Sequence, residues 1–484
     1  MTGPLADLRV VDNTDDSGRF ALKLLTSMGA DVVRINTEGS SGAPMTGDAA
    51  AHGGVLDWWL DGGKRRADVD LATTEGQEAY RTLATVADVV VETARPGVLA
   101  DAGIDHAQLL EANPSLVQVS ITPFGRTGPR ANWVGSDLVS AALGGVMSVT
   151  GLPDRPLNVW GRQTHNYAGF MGAICALAAT RAARADGRGR HVDLSIHELV
   201  TGSIENILMQ WFFDDVLPLP KLAQRQGALH WLGAYDLAEC RTGYTMITPT
   251  PTPELLFDWM LEDGFEAASQ WKGLDASQAL EQIEDVMAAV REWVRGHDAM
   301  ELWWTAQDRH VAFGGVHDIP AVAEIPQFEH RGFWADAVSA DGSSVRQPGR
   351  LVRFESETPD PEPPAREATA VEDLLAEWSP RDGRQAADEL ERPLDGVRVV
   401  DFTWVLAGPF ATRMLGDLGA DVIRVQTEER STLVNSPDFP YYFVWNRSKR
   451  SATLDMKHPR ALEVVRRLIE NCLLYTSPSP RDPE

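Results

Sequence analysis

The stretch Leu394–Glu428 reads LDGVRVVDFTWVLAGPFATRMLGDLGADVIRVQTE. The chain carries a close copy of it at Leu5–Glu38, LADLRVVDNTDDSGRFALKLLTSMGADVVRINTE. With one residue deleted from the first copy, 17 of 34 aligned positions are identical. Self-similarity of this extent indicates a repeated structural unit. The chain therefore begins one domain, completes it, and begins the same domain again.

Each copy predicts a strand, a loop, a helix and a second strand. Val397–Phe402 is an apolar, β-branched run that suits a buried strand. Phe410–Leu418 has the apolar spacing of a helix, Gly419 ends it, and Ala420–Val425 is a second short strand. The pattern predicts the opening of a doubly wound α/β domain, in which ligands bind at the carboxyl ends of the strands. A generic Rossmann-like half would fit this pattern equally well.

Composition narrows the class of protein. The 484 residues are 43% hydrophobic and 24% charged, as in an ordinary globular protein. A net charge of −26 argues against nucleic acid as a partner. Three scattered cysteines are too few for a disulfide framework or a zinc site. Without a signal peptide or an apolar run of about 18 residues, we expect no membrane span and a cytoplasmic location.

Shifts in composition along the chain predict six parts. They are a large Rossmann-like domain of the first copy (1–226), a smaller, tryptophan-rich α+β domain (227–323), a return to the large domain (324–353), an acidic, proline-rich linker (354–392), the start of the second copy (393–471) and a tail (472–484). The tail contains three prolines and resembles translated adapter sequence, so we expect no strand in it and a truncated second copy.

Several motifs together resemble the class III CoA-transferase (CaiB/BaiF) family, which includes formyl-CoA and carnitine CoA-transferases. They are the PLDGVRVVDFT opening with LAGP and LGADVIRV (Pro393–Val425), NRSKRSATLDMK (Asn446–Lys457), the RPG turn (Arg95–Gly97), SITPFGRTGP (Ser120–Pro129) and DGRGRHVDLS (Asp186–Ser195). Each motif alone would be weak evidence, but together they are specific.

The resemblance implies an α/β fold of the interlocked-ring type, with a Rossmann-like large domain and a smaller α+β domain. Two copies in one chain then suggest an intramolecular pseudo-dimer, or a homodimer. It also implies that CoA moves from an acyl-CoA to a carboxylic acid acceptor through a covalent enzyme intermediate, with no tightly bound cofactor. In that mechanism an aspartate carboxylate attacks the thioester.

The position of the family's aspartate is occupied by His165 in the first copy. An imidazole does not form the mixed anhydride that the mechanism uses, so we expect the first copy to be catalytically degenerate. The second copy keeps the family's loop and basic motif, and we expect it to be the start of the working half.

Candidate CoA-binding residues follow from the same motifs. They are Lys64, Arg65 and Arg95 in the first copy, with Arg126 and Arg162 as further cations there, and Gly408, Asn446, Arg447 and Lys449 in the second copy. The first copy has Asp15 and Asp16 in place of the LAGP loop, and these carboxylates would repel the phosphates of CoA.

Other functions remain open at this point. The first copy could be a non-catalytic scaffold for the second. An acyl-CoA racemase of the same family would use a His/Asp pair, and the corresponding positions hold Ser136 and His165. A nicotinamide-dependent dehydrogenase would need GxGxxG, and a serine hydrolase GxSxG; neither sequence occurs. The tryptophans of the smaller domain suggest an apolar or large acceptor, but core packing explains them equally well.

Overall fold

A computed structural model gives the fold. It describes residues 3–36, 55–213, 215, 225, 235–248, 252–338, 344–354, 369–378, 389–404, 406–430, 436, 440–470, 472 and 474–476. The chain forms a larger unit of Met1–Met147, Asn158–Lys221 and Phe333–Glu484, and a smaller unit of Ser148–Leu157 and Leu222–Gly332.

The first copy is built on a six-stranded parallel sheet in the order β3-β2-β1-β4-β5-β8. Its strands are β1 (Arg9–Asn13), β2 (Asp31–Asn36), β3 (Arg65–Asp68), β4 (Val89–Glu92), β5 (Val117–Thr122) and β8 (Arg190–Ser195); β6 (Gly151–Leu152) and β7 (Arg155–Pro156) pair in the smaller unit. All residues of β4 and β5 are buried, as expected of central parallel strands covered on both faces. The predicted α/β class is confirmed.

The structure describes ten helices in this part of the first copy, and some of them pack on the two faces of this sheet. They are α1 (Arg19–Ser27), α2 (Val55–Asp61), α3 (Thr74–Val86), α4 (Val98–Asp101), α5 (His106–Ala112), α6 (Asp137–Leu143), α7 (Val146–Val149), α8 (Gln163–Asp186), α9 (Ile196–Ser203) and α10 (Glu205–Phe212). The long helix α8 lies close to α1 because small residues face it: a Cβ at Gly169 would stand 2.8 Å from the Cβ of Phe20. The small residues of Ser136–Thr150 predict one helix, but the structure has two, α6 and α7, because Gly145 between them has a φ of +93°.

The smaller unit combines an antiparallel sheet with helices. Its elements are β9 (Asp236–Glu239), β10 (Tyr244–Ile247), β11 (Phe313–Gly315), α11 (Glu254–Glu262), α12 (Ala276–Glu281), α13 (Ile283–Val294), α14 (Ala299–Asp308), α15 (Ile319–Ala323) and α16 (Pro326–His330). The residue Gly227, at which we predicted this domain to begin, lies outside the described residues.

The larger unit resumes with an antiparallel hairpin of β12 (Trp334–Val338) and β13 (Ser344–Pro348). Within the predicted linker, helix α17 (Val371–Glu377) is docked on the first copy. Leu374 and Trp378 are buried in the same core cluster as residues of α3, and the indole of Trp378 donates to Asp31 at 2.7 Å. This part of the linker is therefore a packed element.

The second copy repeats the first four strands of the first. Its elements are β14 (Arg398–Asp401), α18 (Ala407–Asp417), β15 (Asp421–Gln426), α19 (Pro440–Asn446), β16 (Lys449–Thr453), α20 (Ala461–Glu470) and β17 (Leu474–Thr476). The parallel order β16-β15-β14-β17 matches β3-β2-β1-β4. Our expectation that no strand follows Asn471 is wrong, because Leu474–Thr476 pairs with β14; the prolines of the tail begin only at Pro478, beyond this strand.

The second copy rests on α8 and α10 of the first. Ala178 of α8 belongs to the core cluster of Leu394, Val399, Ala420 and Val422. Further along α8, Arg181 donates to the carbonyl of Pro393 at 3.0 Å, and Asp186 accepts from the backbone N–H of Leu390 at 3.1 Å. The two copies are thus joined by packing as well as by the chain.

Candidate active site

The first copy brings polar side chains together where β1 and β5 end and α8 begins. His165 lies in the first turn of α8, and its Nδ1 is buried without a hydrogen-bond partner. Burial lowers the pKa of His165, although the charges of Asp137 and Asp15 oppose this. The imidazole is therefore held neutral beside carboxylates.

Asp137 caps the start of α8. One of its carboxylate oxygens accepts from the backbone N–H of Thr164 at 3.0 Å and from the Thr164 hydroxyl at 2.7 Å. These bonds satisfy groups at the helix terminus that would otherwise lack a partner. Ser136, at the racemase position, accepts from the backbone N–H of Val139 at 3.3 Å and caps α6. Both residues thus have structural partners in helix caps.

The loop after β1 places a second carboxylate, that of Asp16, near His165. Asp16 forms ion pairs with Arg162 at 3.2 Å and Arg19 at 3.1 Å. Although burial alone would raise it, these arginines hold the pKa of Asp16 below its ordinary value. The predicted cation Arg162 is therefore engaged by a carboxylate of its own copy.

Lys64, predicted to contact CoA, is fully buried in ion pairs. Its Nζ lies 2.9 Å from Asp12 and 3.2 Å from Asp61. Burial would raise the pKa of Asp12, but Lys64 and Arg34 hold it well below its usual range. This pair ties β1 to the segment before β3 and does not face solvent.

The other first-copy cations have different surroundings. Arg65 is buried between Asp31, Glu377 and the ring of Trp378, which fixes α17 to the sheet. Arg126 lies 3.3 Å from the buried Glu92.

Arg95 is exposed in its turn, before Gly97 with a φ of +94°. Among the three candidates of the first copy, Arg95 alone is placed to meet a ligand from solvent.

The second copy has the same buried pair in the corresponding place. Lys449 lies 3.0 Å from Asp401, and neither side chain is exposed. Lys449 also donates to the carbonyl of Pro409 at 2.9 Å and to Oδ1 of Asn446 at 3.2 Å. Burial lowers the pKa of Lys449 to about 8, although Asp401 opposes this. Asn446 and Lys449 are therefore brought together beneath the loop that ends at Pro409.

Arg447 and Gly408 lie at either side of this corner. Arg447 is exposed and pairs with Asp417 at 2.8 Å. Gly408 opens α18, and a Cβ there would overlap the side chain of Thr403. Its first-copy counterpart, Gly18, has the same relation to Thr14, at 2.8 Å. The glycine thus lets the helix approach the end of the strand.

We predict that Gly408→Ala lowers the free energy of unfolding by about 1–3 kcal/mol, because the added methyl group overpacks against Thr403. Urea unfolding measures the loss. Gly202→Ala is the matched control, since Gly202 is also helical but has nothing within 4 Å of the place that the methyl group would take, and it is expected to be neutral or stabilising. Equal losses in both variants would contradict the close approach.

The tryptophans of the smaller unit that the structure describes divide into two groups. Trp259, Trp271 and Trp293 are 2–4% exposed and form its core. Trp303 and Trp304 instead line a cavity of about 860 Å³. Core packing therefore accounts for three of these tryptophans, and the other two border a space of ligand size.

The part of the chain that the structure describes contains no group of three or more His, Cys, Asp or Glu side chains arranged to hold a metal ion. No helix among the described residues is both long and apolar enough to cross a bilayer.

The sequence alone did not reveal Asp137 as a neighbour of His165. The two residues are 28 positions apart, and they meet because the segments after β5 and before α8 converge at the carboxyl edge of the sheet. The general rule that ligands and polar groups gather at this edge was the available signal.

Comparison with known proteins identifies the family. The model of CoA-transferase family III matches residues 5–368 and 394–475. The chain is 30% identical over 370 residues to succinyl-CoA:(R)-benzylsuccinate CoA-transferase subunit BbsE of Thauera aromatica, covering 72% of this chain and 87% of that protein. It is 32% identical to succinyl-CoA:mesaconate CoA-transferase of Haloarcula marismortui, over 62% of this chain and 77% of that protein.

A solved structure agrees with these relatives. A CaiB/BaiF family protein from Brucella suis superposes with a TM-score of 0.65 and 25% identity, covering 78% of this chain and all of that protein. The paired motifs, the repeated parallel sheet and these matches have one explanation: the chain belongs to CoA-transferase family III, whose members move CoA between an acyl-CoA and a carboxylic acid.

Proposed function

We propose that the first copy is the non-catalytic half of a CoA-transferase and that the second copy carries the CoA-binding half. The observation behind this proposal is the imidazole of His165 at the position where the family resemblance places an aspartate. His165 is surrounded by Asp15, Asp16 and Asp137, and burial favours its neutral form. A neutral imidazole among carboxylates cannot supply the acyl anhydride of the implied mechanism.

The charges in the loop after the first strand of each copy support this division of roles. In the first copy, Asp15 and Asp16 occupy the loop after β1. In the second copy the corresponding loop, Thr403–Pro409, carries no charged residue, and Lys449 lies beneath its end. The carboxylates of the first loop repel the anionic phosphates of CoA, whereas the uncharged loop of the second copy does not.

The names of the relatives suggest the substrates. Relatives act with succinyl-CoA on benzylsuccinate or mesaconate, and another is a succinate–glutarate CoA-transferase. Each of these acids has two carboxyl groups. We therefore assign succinyl-CoA as donor and a dicarboxylic acid as acceptor.

The same proposal includes CoA as a substrate and no tightly bound cofactor. The packing of the second copy on α8 and α10 supports an intramolecular pseudo-dimer. None of the three cysteines forms a disulfide, which supports a cytoplasmic location.

The test is transfer of CoA by the purified chain from succinyl-CoA to mesaconate, glutarate and benzylsuccinate, with new thioesters detected by mass spectrometry. His165→Ala is expected to retain the rate within about twofold, because the imidazole makes no bond in the reaction. His197→Ala is the matched control, as another histidine of the first copy.

Two results would overturn the proposal. One is the absence of CoA binding to the unmodified chain in titration calorimetry, because the second copy is assigned that role. The other is a loss of at least about a hundredfold in His165→Ala while the control keeps its rate, which would make His165 a chemical residue.

A further inference from the structure

The two copies differ in the ion-pair partners of one buried arginine. Arg34 in β2 and Arg424 in β15 occupy the same place, each paired in strand register with an aspartate of the first strand of its copy, Asp12 or Asp401. The surroundings of these two guanidinium groups can therefore be compared directly.

Two carboxylates neutralise Arg34 in the first copy. Its Nη1 lies 3.2 Å from Asp12, and its Nε lies 3.5 Å from Asp61. Asp61 also pairs with Lys64 and Arg19, so this corner is closed by ion pairs within the protein. No further anion is needed there.

Arg424 of the second copy is 3% exposed, and its Nε is buried without a hydrogen-bond partner. Among the residues that the structure describes, no carboxylate lies within 4.0 Å of this guanidinium, which instead stands 4.9 Å from the centre of the Tyr442 ring. A buried cation without an anion is costly, and most such groups in proteins have a partner.

One amino-acid difference between the copies explains why Arg424 lacks a second carboxylate. Asn446 stands where the first copy has Asp61, and the amide cannot neutralise the arginine. Asn446 donates to the carbonyl of Tyr442 at 2.9 Å and accepts from Lys449 at 3.2 Å. The second copy therefore retains the arginine and the lysine but has lost one of the two carboxylates.

The remaining carboxylate is already engaged. Asp401 accepts from Lys449 at 3.0 Å and from the hydroxyl groups of Thr403 and Thr412 at 2.5 and 2.7 Å. The nearby charge of Arg424 is one reason that the pKa of Lys449 is lowered, after burial itself. Positive charge is thus in excess at this corner.

We propose that Arg424 is an anion-binding residue of the second copy, which takes an oxyanion, a phosphate or a carboxylate, at the carboxyl end of β15. A guanidinium offers paired N–H donors that match either group, and charge-assisted bonds of this kind are strong. If the anion is a phosphate of CoA, the inference rests on the proposed function; if it is the carboxylate of an acid, the same residue selects the acceptor.

The experiment compares the thermal unfolding midpoint of the full chain with phosphate, succinate or CoA, at constant ionic strength. The unmodified chain is expected to be stabilised by at least one of them, because a ligand bound to the folded state raises the midpoint. In Arg424→Gln and in Asn446→Asp, the anion concentration that produces a given rise of the midpoint is expected to increase at least about tenfold. Asn446→Asp has this effect because it restores the carboxylate of the first copy.

Arg450→Gln is the matched control, because Arg450 on β16 is exposed and pairs with Asp421, and it should keep the response. Without added anion, Asn446→Asp should be more stable than the unmodified chain. Should Arg424→Gln fail to fold, Asn446→Asp alone still decides the matter.

A response to phosphate and CoA but not to succinate identifies a phosphate site, and the reverse identifies a carboxylate site. The inference is overturned if Asn446→Asp responds to every anion as the unmodified chain does, or if the unmodified chain responds to none. Binding of CoA is measured separately, so an intact response to phosphate or succinate in a chain that does not bind CoA would reject the proposed function and leave this site standing.

Discussion

Replacing Asp401 with asparagine is expected to lower the free energy of local opening of β14–β16 by about 3–5 kcal/mol. The substitution removes the carboxylate next to the fully buried Lys449 and leaves that ammonium group with only neutral acceptors. Arg424 in the same corner loses the nearest negative charge as well. Hydrogen exchange at the amides of β14 and β15 measures the loss where it occurs.

The first copy supplies the control. Asp12→Asn leaves Lys64 at 3.2 Å and Arg34 at 3.5 Å from Asp61, so both cations keep a carboxylate. We expect a smaller loss there, about 1–2 kcal/mol, at the amides of β1 and β2. Equal losses in the two copies would mean that Asp61 does not compensate, and would remove the basis for treating the corners as different.

The second large effect is expected at the contact between the copies. Glu205 of α10 lies 2.5 Å from Arg413 of α18, and the Arg413 side chain is only 5% exposed. In Glu205→Gln this guanidinium keeps one carboxylate, Asp417 at 3.8 Å, while the introduced amide oxygen can still accept from the indole of Trp445. The free energy of unfolding should fall by about 2–4 kcal/mol, measured in urea.

A double-mutant cycle with Arg413→Met separates the ion pair from other effects. A positive coupling energy above about 1 kcal/mol is expected for residues in direct contact. Glu198→Gln is the matched control, since Glu198 on the neighbouring α9 is exposed, and its effect should stay within about 0.5 kcal/mol. If the cycle shows no coupling, the pair does not hold the copies together.

The repeated strands could be predicted from the sequence because their evidence is local. The β-branched runs around Val10 and Val399 and the glycines that end α1 and α18 mark the elements in both copies. The break at Gly145 was also visible as a glycine pair, but the surrounding small residues favoured one continuous helix.

The site could be predicted less well because burial depends on residues that are distant in the chain. Lys64 and Lys449 stand in a basic motif that suggests an anion ligand, yet each is enclosed with an aspartate about 50 positions earlier. The sequence contained one usable signal, since both copies keep the aspartate and the lysine together. Asp137 gave no comparable signal, because its partner Thr164 comes from a distant segment of the chain.

The 24 residues of α8 have a consequence for how the molecule unfolds. One end of this helix carries His165, and the other end supplies Ala178 and Arg181 to the second copy. The second copy therefore lacks part of its own core whenever α8 is disordered. We expect the two copies to melt in one cooperative transition, so that selection for stability acts on them as a single inherited unit even where their chemistry has diverged.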